Sequence, residues 1–271
     1  MKKWTNKKSL LAIIAALAAL ALIVVLILWL LPENEQPEIY VGNPQTPVQH
    51  PITIDPDLQN MGQAQSPEQA KQSEIPGYTD RNCIAPVTLS NGLSVIRSGS
   101  YTGSFVEDGS NEACTDVLAL VVTNTSQNFL EWAEIAVPVG DRTAYFRLSS
   151  LPAGQSLLVM EKTAMTYDAA AAYGEALLLS TAEGMKDFSL HTDRFSITAA
   201  DHVVNLTNLS PEAIEGNLAI YYKNVSNGVY IGGITYRKTL SSGVAGGAVA
   251  QFICENYTVA GSELVFIVYE Q

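Results

Sequence analysis

The amino-acid sequence predicts an all-β protein in which two tandem antiparallel β-sandwich (Ig-like) domains follow an N-terminal transmembrane helix and a disordered linker. Three observations support this prediction. An uncharged apolar run fills residues 10–31, short β-like segments separated by Gly, Asn, Asp and Ser follow from Tyr78 onward, and part of that region is repeated. The apolar run predicts the helix, the short segments predict the strands, and the repeat predicts two domains.

The apolar run of 22 residues at 10–31 is long enough for one membrane crossing. As a helix it would extend roughly 33 Å, slightly more than the hydrocarbon core of a bilayer. Four lysines precede the run, and after it no Lys or Arg occurs before Lys71. The positive-inside rule therefore predicts a single-pass protein of the cell membrane, with a cytoplasmic tail at residues 1–9 and its C-terminal domains outside the cell.

A cleaved signal peptide is the alternative interpretation of this run. Signal peptides have an apolar region of about 7–15 residues that ends at a small-residue cleavage site. Here the run is longer and ends in the bulky residues Leu28, Trp29, Leu30 and Leu31. An uncleaved signal anchor is therefore the prediction, with the membrane as a partner through residues 10–31. Whether the anchor is ever cleaved stays open.

The composition of residues 32–78 predicts a disordered linker. This segment contains eight of the twelve prolines, together with many Gln, Glu and Asn and few large apolar residues. Such a segment cannot bury enough apolar surface to offset the entropy cost of ordering. We therefore expect it to act as a stalk between the helix and the β-rich region.

The β-rich region shows two kinds of strand pattern. TAYFRLS at 143–149 alternates apolar and polar residues, as a strand with one buried face does. DVLALVVT at 116–123 is apolar on both faces, as a strand covered on both sides is. One segment, AMTYDAAAAY at 164–173, predicts a short helix because of its alanines.

Aromatic residues of the predicted strands fall into two groups. We expect Tyr222 and Tyr230 to pack in the core or in cross-strand pairs, with a carbohydrate-binding platform as the alternative. Tyr145, Tyr221 and Arg237 are expected at outward-facing strand positions.

An internal repeat divides the β-rich region. VVTNTSQNFLEWAEIAV at 121–137 aligns with NLTNLSPEAIEGNLAIY at 205–221, and both contain Thr-Asn-x-Ser followed by an apolar strand with an acidic residue. Asn and Ser in such positions are typical of turns, because their side chains hydrogen-bond to nearby backbone. The repeat predicts two β-sandwich domains, at 79–184 and 185–271, each large enough for its own core.

The charge of the chain excludes one class of partner. It contains 15 basic and 27 acidic residues; without the four lysines that precede the apolar run, the formal charge is −16. Such an acidic surface repels nucleic acid and anionic lipid headgroups. We therefore expect no nucleic-acid partner.

The three cysteines are consistent with one disulfide outside the cell. Cys83 precedes the first predicted strand, Cys114 lies in a polar loop, and Cys254 lies in the strand-like segment QFICE. We predict a Cys83–Cys114 disulfide that stabilises the fold by about 3–4 kcal/mol. Cys254 is expected to be a buried thiol, although whether it is free stays open.

Two sets of residues resemble bacterial surface proteins. The Thr-Asn-x-Ser signature and IYYKN at 220–224 resemble FxLYD-type β-sandwich repeats, although Leu218 stands where that motif has Phe and Lys223 where it has Asp. Residues 101–124 and 148–162 are similar to uncharacterised membrane-anchored extracellular proteins of clostridia-like Gram-positive bacteria. This similarity implies an extracellular location at the membrane and implies no activity.

The sequence lacks the motifs of serine hydrolases and of zinc hydrolases. It has no GxSxG or SxxK motif, and its histidines His50, His191 and His202 occur without HExxH or CxxC. We therefore predict that the protein is not an enzyme, with no catalytic residues and no cofactor.

The acidic loop EDGSNEACTD at 107–116 contains the one candidate metal site. Asp108, Asn111, Glu112 and Asp116 carry oxygen atoms of the kind that Ca²⁺ binds in proteins. Their spacing does not match an EF-hand loop, so a solvated turn is the alternative interpretation.

Together these patterns predict a non-catalytic interaction or scaffold protein of the cell surface. Its partner is expected to be an extracellular protein or a component of the envelope. Two alternatives stay open: an envelope glycan-active hydrolase that uses Asp/Glu pairs, and an extracellular sensor subunit of a membrane complex. The identity of the partner and the oligomeric state are open as well.

Overall fold

The computed structural model describes residues 74–183 and 188–269, which belong to one compact unit. The predicted cytoplasmic tail (1–9), transmembrane helix (10–31) and linker before residue 74 lie outside the described residues. Within the described ranges, no helix is long and apolar enough to cross a membrane.

The described residues form fourteen β-strands. In chain order these are β1 (Tyr78–Asp80), β2 (Val87–Thr88), β3 (Leu93–Phe105), β4 (Glu112–Asn124), β5 (Leu130–Val139), β6 (Arg142–Leu151), β7 (Ser156–Met160), β8 (Leu177–Glu183), β9 (Phe195–Ala200), β10 (Val203–Asn208), β11 (Leu218–Ser226), β12 (Val229–Leu240), β13 (Val249–Ile253) and β14 (Ser262–Tyr269). The prediction of an all-β protein is confirmed for this part of the chain.

The two strand patterns also hold. Along β6 the apolar residues Ala144, Phe146 and Leu148 are buried while Tyr145 and Arg147 lie on the other face. Every residue from Val117 to Asn124 in β4 is buried, since both faces of β4 are covered.

The helix predicted at 164–173 is wrong. An isolated helix this short is marginal in water, and here the backbone finds better partners in strand β4. Leu118 N–H donates to Met165 O at 2.8 Å, and Tyr167 N–H donates to Asp116 O at 2.8 Å. The buried carboxylate of Glu161 accepts the backbone N–H of Met165 at 3.0 Å. The segment is therefore an irregular loop held against the sheet.

The strands form three sheets. The largest has eight strands in the order β1-β3-β4-β7-β12-β11-β14, with β2 paired to β3. The others have three strands each, in the orders β6-β5-β8 and β13-β10-β9.

The pairing within β9–β14 repeats the pairing within β3–β8. β4 pairs with β3 and β7, and β10 pairs with β9 and β13. β5 pairs with β6 and β8, and β11 pairs with β12 and β14. The repeat seen in the sequence therefore extends to the strand topology.

Three hydrophobic clusters fill the space between and beside the sheets. The first lies between β3-β4-β7 and β6-β5-β8, and includes Leu120, Ile135 and Phe146. The second lies between β9-β10-β13 and β12-β11-β14, and includes Leu206 and Ile220. The third covers the opposite face of β3, β4 and β7. This arrangement explains why β4 is apolar on both faces.

The first Thr-Asn-x-Ser signature positions a buried amide at the end of β4. Asn124 accepts the N–H of Ser126 at 3.1 Å, and its amide donates to the carbonyls of Asn128 and Leu151, both at 2.9 Å. The amide therefore fixes the turn that leads into β5.

The second signature repeats these contacts at the end of β10. Asn208 accepts the N–H of Ser210 at 3.1 Å and donates to Glu212 O at 2.8 Å. Asn124 and Asn208 are 1% and 0% exposed, so each amide is buried beneath the turn that it holds.

We expect Asn208→Ala to lower the free energy of unfolding by about 2 kcal/mol, because it removes a buried side chain that hydrogen-bonds to Ser210 N–H and to the carbonyls of Glu212 and Val244. Urea denaturation of the full chain measures this loss. Asn205→Ala, on the same strand but partly exposed, is the matched control and should change stability by about 0.5 kcal/mol or less. Equal losses in the two variants would contradict the structural role of Asn208.

The β11–β12 hairpin joins the two sets of strands. β12 pairs in parallel with β7, with Tyr230 opposite Leu157 and Ile231 opposite Leu158. Val229 belongs to the third cluster and Tyr230 to the first, so this hairpin completes the core of the preceding strands. The domain boundary predicted between residues 184 and 185 lies outside the described residues and stays a prediction.

Candidate functional site

Three of the four residues of the predicted calcium site, all but Glu112, have other side-chain contacts in the structure. Asp108 Oδ1 accepts the N–H of Ser110 at 2.9 Å, which closes the turn. The Asn111 amide donates to Asn256 at 3.3 Å, and Glu112 begins strand β4.

Asp116, the fourth residue of this candidate, pairs with Arg81 at 3.1 Å. Hydrogen bonds from Ser100 and Arg81 hold the pKa of Asp116 below its usual value. In the described part of the chain, no three His, Cys, Asp or Glu side chains form a group that could hold a metal ion. The calcium candidate therefore has no preformed cluster of such ligands.

The cysteines are free thiols in the structure. Cys83 packs against the first cluster and Cys114 against the third, on opposite faces of the β3–β4 pair. Cys83 lies beside Ser98 and Cys114 opposite Gly103, five positions apart on β3 and so separated by about 16 Å. A disulfide needs Cα atoms within about 7 Å. The predicted Cys83–Cys114 bridge is therefore not formed here.

The outer side of the β6-β5-β8 sheet carries a group of side chains suited to binding. Leu177 pairs with Ala136 on the outer side of this sheet, whereas Leu179 lies at the bulge between the Leu178–Ile135 and Ser180–Glu134 pairs; each of the two leucines is 51% exposed. Trp132, Tyr145 and Arg147 share this outer side on β5 and β6. We call these five residues the Trp132 face.

A cavity of about 390 Å³ opens at the Trp132 end of this face. It lies where β6, β12 and the loops after β3 and β7 come together. Its lining residues are Glu107, Trp132, Arg147, Leu148, Ser149, Lys162, Thr163, Gly233 and Ile234.

Two cations beside the cavity share one carboxylate. Arg147 Nε donates to Glu134 Oε1 at 2.8 Å, and Lys162 Nζ lies 3.6 Å from the same oxygen. The hydrogen bond from Arg147 and the two positive charges lower the pKa of Glu134. Lys162 also lies 4.4 Å from the centre of the Tyr145 ring. Arg147 and Lys162 therefore place two cations around the carboxylate of Glu134, next to the Trp132 face.

Glu107 and Lys223 both hydrogen-bond to the backbone of β12 at the inner wall of the cavity. Glu107 accepts the N–H of Gly233 at 2.9 Å and the N–H of Met160 at 2.8 Å. Lys223, which is fully buried, donates to the carbonyls of Gly233 at 3.3 Å and Ile234 at 2.7 Å. These bonds fix the backbone of β12 where it lies against β6.

Burial favours the uncharged forms of Glu107 and Lys223 and so shifts the pKa of each. It raises the pKa of Glu107 to about 7, although the two backbone N–H groups and Lys223 oppose the change. It lowers the pKa of Lys223 to about 7, opposed by the charge of Glu107. Both pKa values therefore lie near neutral pH, far from the usual values of a glutamate and a lysine.

The pKa of Lys223 predicts a pH-dependent stability. The unfolded chain keeps this proton up to about pH 10.5, whereas the folded chain releases it above about 7, so the free energy of unfolding rises with pH between these values. We expect wild type to gain about 1–2 kcal/mol relative to Lys223→Met between pH 7.5 and 9. Glu107 has the opposite effect on stability. Its pKa is 4.5 in the unfolded chain and about 7 in the folded chain, so the free energy of unfolding falls as the pH rises from 4.5 to 7.

Urea denaturation at several pH values measures this difference. Lys238→Met, on the same β12 strand, is the control and should run parallel to wild type. A constant difference between wild type and Lys223→Met across pH 7.5–9 would contradict the assigned burial of the ammonium.

Sequence reasoning identified part of this site. Tyr145 was expected to face outward, and it does, whereas Glu107, Lys162 and Lys223 come together only through the fold. Tyr222 and Tyr230 are buried as expected. Glu107 was considered only as part of the acidic loop, since nothing in the sequence places it beside Gly233.

Comparisons with protein families, with curated proteins and with solved structures find no match to this chain.

Proposed function

We propose that this protein is a non-catalytic interaction module of the cell surface, and that the Trp132 face is its binding surface. The observation that carries the proposal is the grouping of Trp132, Tyr145, Arg147, Leu177 and Leu179 on one sheet face beside a cavity. Trp, Tyr and Arg are the residues that most often dominate binding energy at protein interfaces. Two half-exposed leucines on one edge strand add apolar area, which a partner would cover.

The edge position of β8 supports the same proposal. β8 pairs only with β5 among the described strands, and six of its seven residues are exposed. An edge strand with exposed leucines can accept an added strand from a partner. The partner is proposed to be an extracellular protein or an envelope component.

The proposed location follows from the sequence. The uncharged run at 10–31 and the lysines before it favour a signal anchor with the β-rich region outside the cell. Two tandem β-sandwich domains, one in each half of the β-rich region, would then be presented on the proline-rich stalk. The repeated strand pairing and the separate first and second clusters support this division. We also propose that the protein is related to membrane-anchored extracellular proteins of Gram-positive bacteria.

A glycan-active hydrolase is the second candidate. Glu107 and Glu134 stand near one cavity with pKa values shifted in opposite directions, as an acid and its partner carboxylate would be. Release of reducing sugar from envelope glycans by wild type, abolished in Glu134→Gln, would favour this candidate over the interaction module.

Photo-crosslinking in cells tests the interaction proposal. A photoreactive residue at Leu179 samples the Trp132 face, and one at Thr198, exposed on β9, is the matched control. We expect one dominant adduct from position 179 and none from position 198. Equal adducts from both positions, or none from either, would contradict the proposed surface.

A further inference from the structure

We propose that the cavity beside Trp132 binds one sugar unit that carries a carboxylate, such as a uronic acid residue of an envelope glycan. This inference rests on the proposed function and names the ligand of the same face. Three features of the cavity support it: its size, its cations and its remaining hydrogen-bonding groups.

The size and wall of the cavity suit a single ring. Its volume of about 390 Å³ lies at the small end of ligand-binding sites. Trp132 is partly exposed and supplies a flat aromatic surface, with Ile234 as further apolar lining. A pyranose ring has an apolar C–H face that can pack on such a surface while its hydroxyls point elsewhere.

The cations at the cavity are positioned for a carboxylate. Arg147 uses Nε for Glu134, and its two terminal nitrogens form no hydrogen bond with described residues. Its side chain is 58% exposed, so these nitrogens can reach a ligand. The guanidinium plane suits a carboxylate with two oxygens. Lys162, which also lines the cavity, adds a second positive charge 3.6 Å from Glu134 Oε1.

The remaining polar groups suit sugar hydroxyls. Within residues 74–183 and 188–269, Glu107 Oε2 accepts the N–H of Gly233 and no other hydrogen bond, which leaves a lone pair for a hydroxyl donor. Ser149 Oγ donates to Gly233 O at 3.0 Å and shares a hydrogen bond with Thr235 Oγ1 at 2.9 Å, which leaves it one further acceptor lone pair. Thr163 lines the cavity from the loop after β7. An acidic peptide side chain has a carboxylate but no hydroxyl groups to bond to these donors and acceptors. A sugar that carries a carboxylate has both, so we favour a sugar over a peptide.

Trp132 is itself a reporter for binding. The chain has three tryptophans, and the other two, Trp4 and Trp29, lie before residue 32. In full-length Trp4→Phe/Trp29→Phe protein, the fluorescence of Trp132 is titrated with glucuronate, glucose and acetate at pH 6. We expect a saturable change with glucuronate, and at least tenfold weaker responses to glucose and to acetate.

Variants identify the binding groups. Arg147→Gln and Lys162→Gln should each weaken the glucuronate response at least tenfold, whereas Arg142→Gln, exposed at the start of β6 and outside the cavity, should leave it unchanged. Melting curves equal to that of the parent confirm that the variants are folded.

The outcomes separate this inference from the proposed function. An equal response to acetate or to an aspartate-containing peptide would replace the sugar by a simple carboxylate and overturn the inference. No response to glucuronate would overturn it as well. In either case, a dominant adduct from position 179 would still support the Trp132 face as an interaction surface. Absence of that adduct would contradict the proposed function itself.

Discussion

Tyr230→Ala is expected to lower the free energy of unfolding by about 4 kcal/mol, in the range for truncating a large buried aromatic residue. Tyr230 is 2% exposed and lies in the first cluster, although it belongs to β12 of the second set of strands. Its backbone pairs with Leu157 of β7 at the one place where the two sets share a sheet. Losing its ring would therefore leave a cavity at the junction between them.

Urea denaturation of the full chain measures this effect. Tyr230→Phe is the matched control, because it keeps the ring and removes only the hydroxyl bond to Glu263 Oε1 at 3.3 Å. We expect Tyr230→Phe to lose about 1 kcal/mol. If Tyr230→Ala lost no more than Tyr230→Phe, the ring would not be a part of the first cluster.

Gly233→Ala is expected to destabilise the chain by about 3 kcal/mol or more, because the added methyl group has no space. A Cβ at Gly233 would overlap the carbonyl oxygen of Arg147, which is backbone and cannot rotate away. The backbone of β12 would have to move away from β6, and the bonds from Glu107 and Lys223 to Gly233 would break. Thermal melting measures the loss of stability.

Gly109→Ala is the control for this substitution. Gly109 has φ +78° and no atom within 4 Å of an added Cβ, so alanine there meets only backbone strain. That strain costs about 1 kcal/mol. Equal losses at the two positions would show that the close approach of β6 and β12 is not present.

The alternation in β6 and the apolar β4 were enough to predict an all-β fold. Hydrophobic periodicity reports which faces are buried, and both predictions depend on that local property. The repeat was readable because Asn124 and Asn208 make the same local turn contacts, which constrain the sequence in the same way at each site.

What the sequence did not predict depends on contacts between distant segments. The alanines at 164–173 favour a helix locally, yet β4 offers their backbone hydrogen bonds that no sequence window contains. Cys83 and Cys114 are both near strand β3, but the sequence does not reveal that they lie on opposite faces of it. The cavity likewise depends on Glu107 meeting Gly233, 126 positions later in the chain.

The most direct test of the proposed binding surface is the adduct yield from a photoreactive residue at Ala182, in cells, with and without Leu177→Asp/Leu179→Asp. Ala182 pairs with Trp132 across β8 and β5, so it samples the same face without replacing one of the five residues. The proposal predicts one dominant adduct in the parent protein and its loss in the double variant, with the melting temperature unchanged. A yield that is the same in both proteins would show that the exposed leucines do not contact the partner and would contradict the Trp132 face as the binding surface.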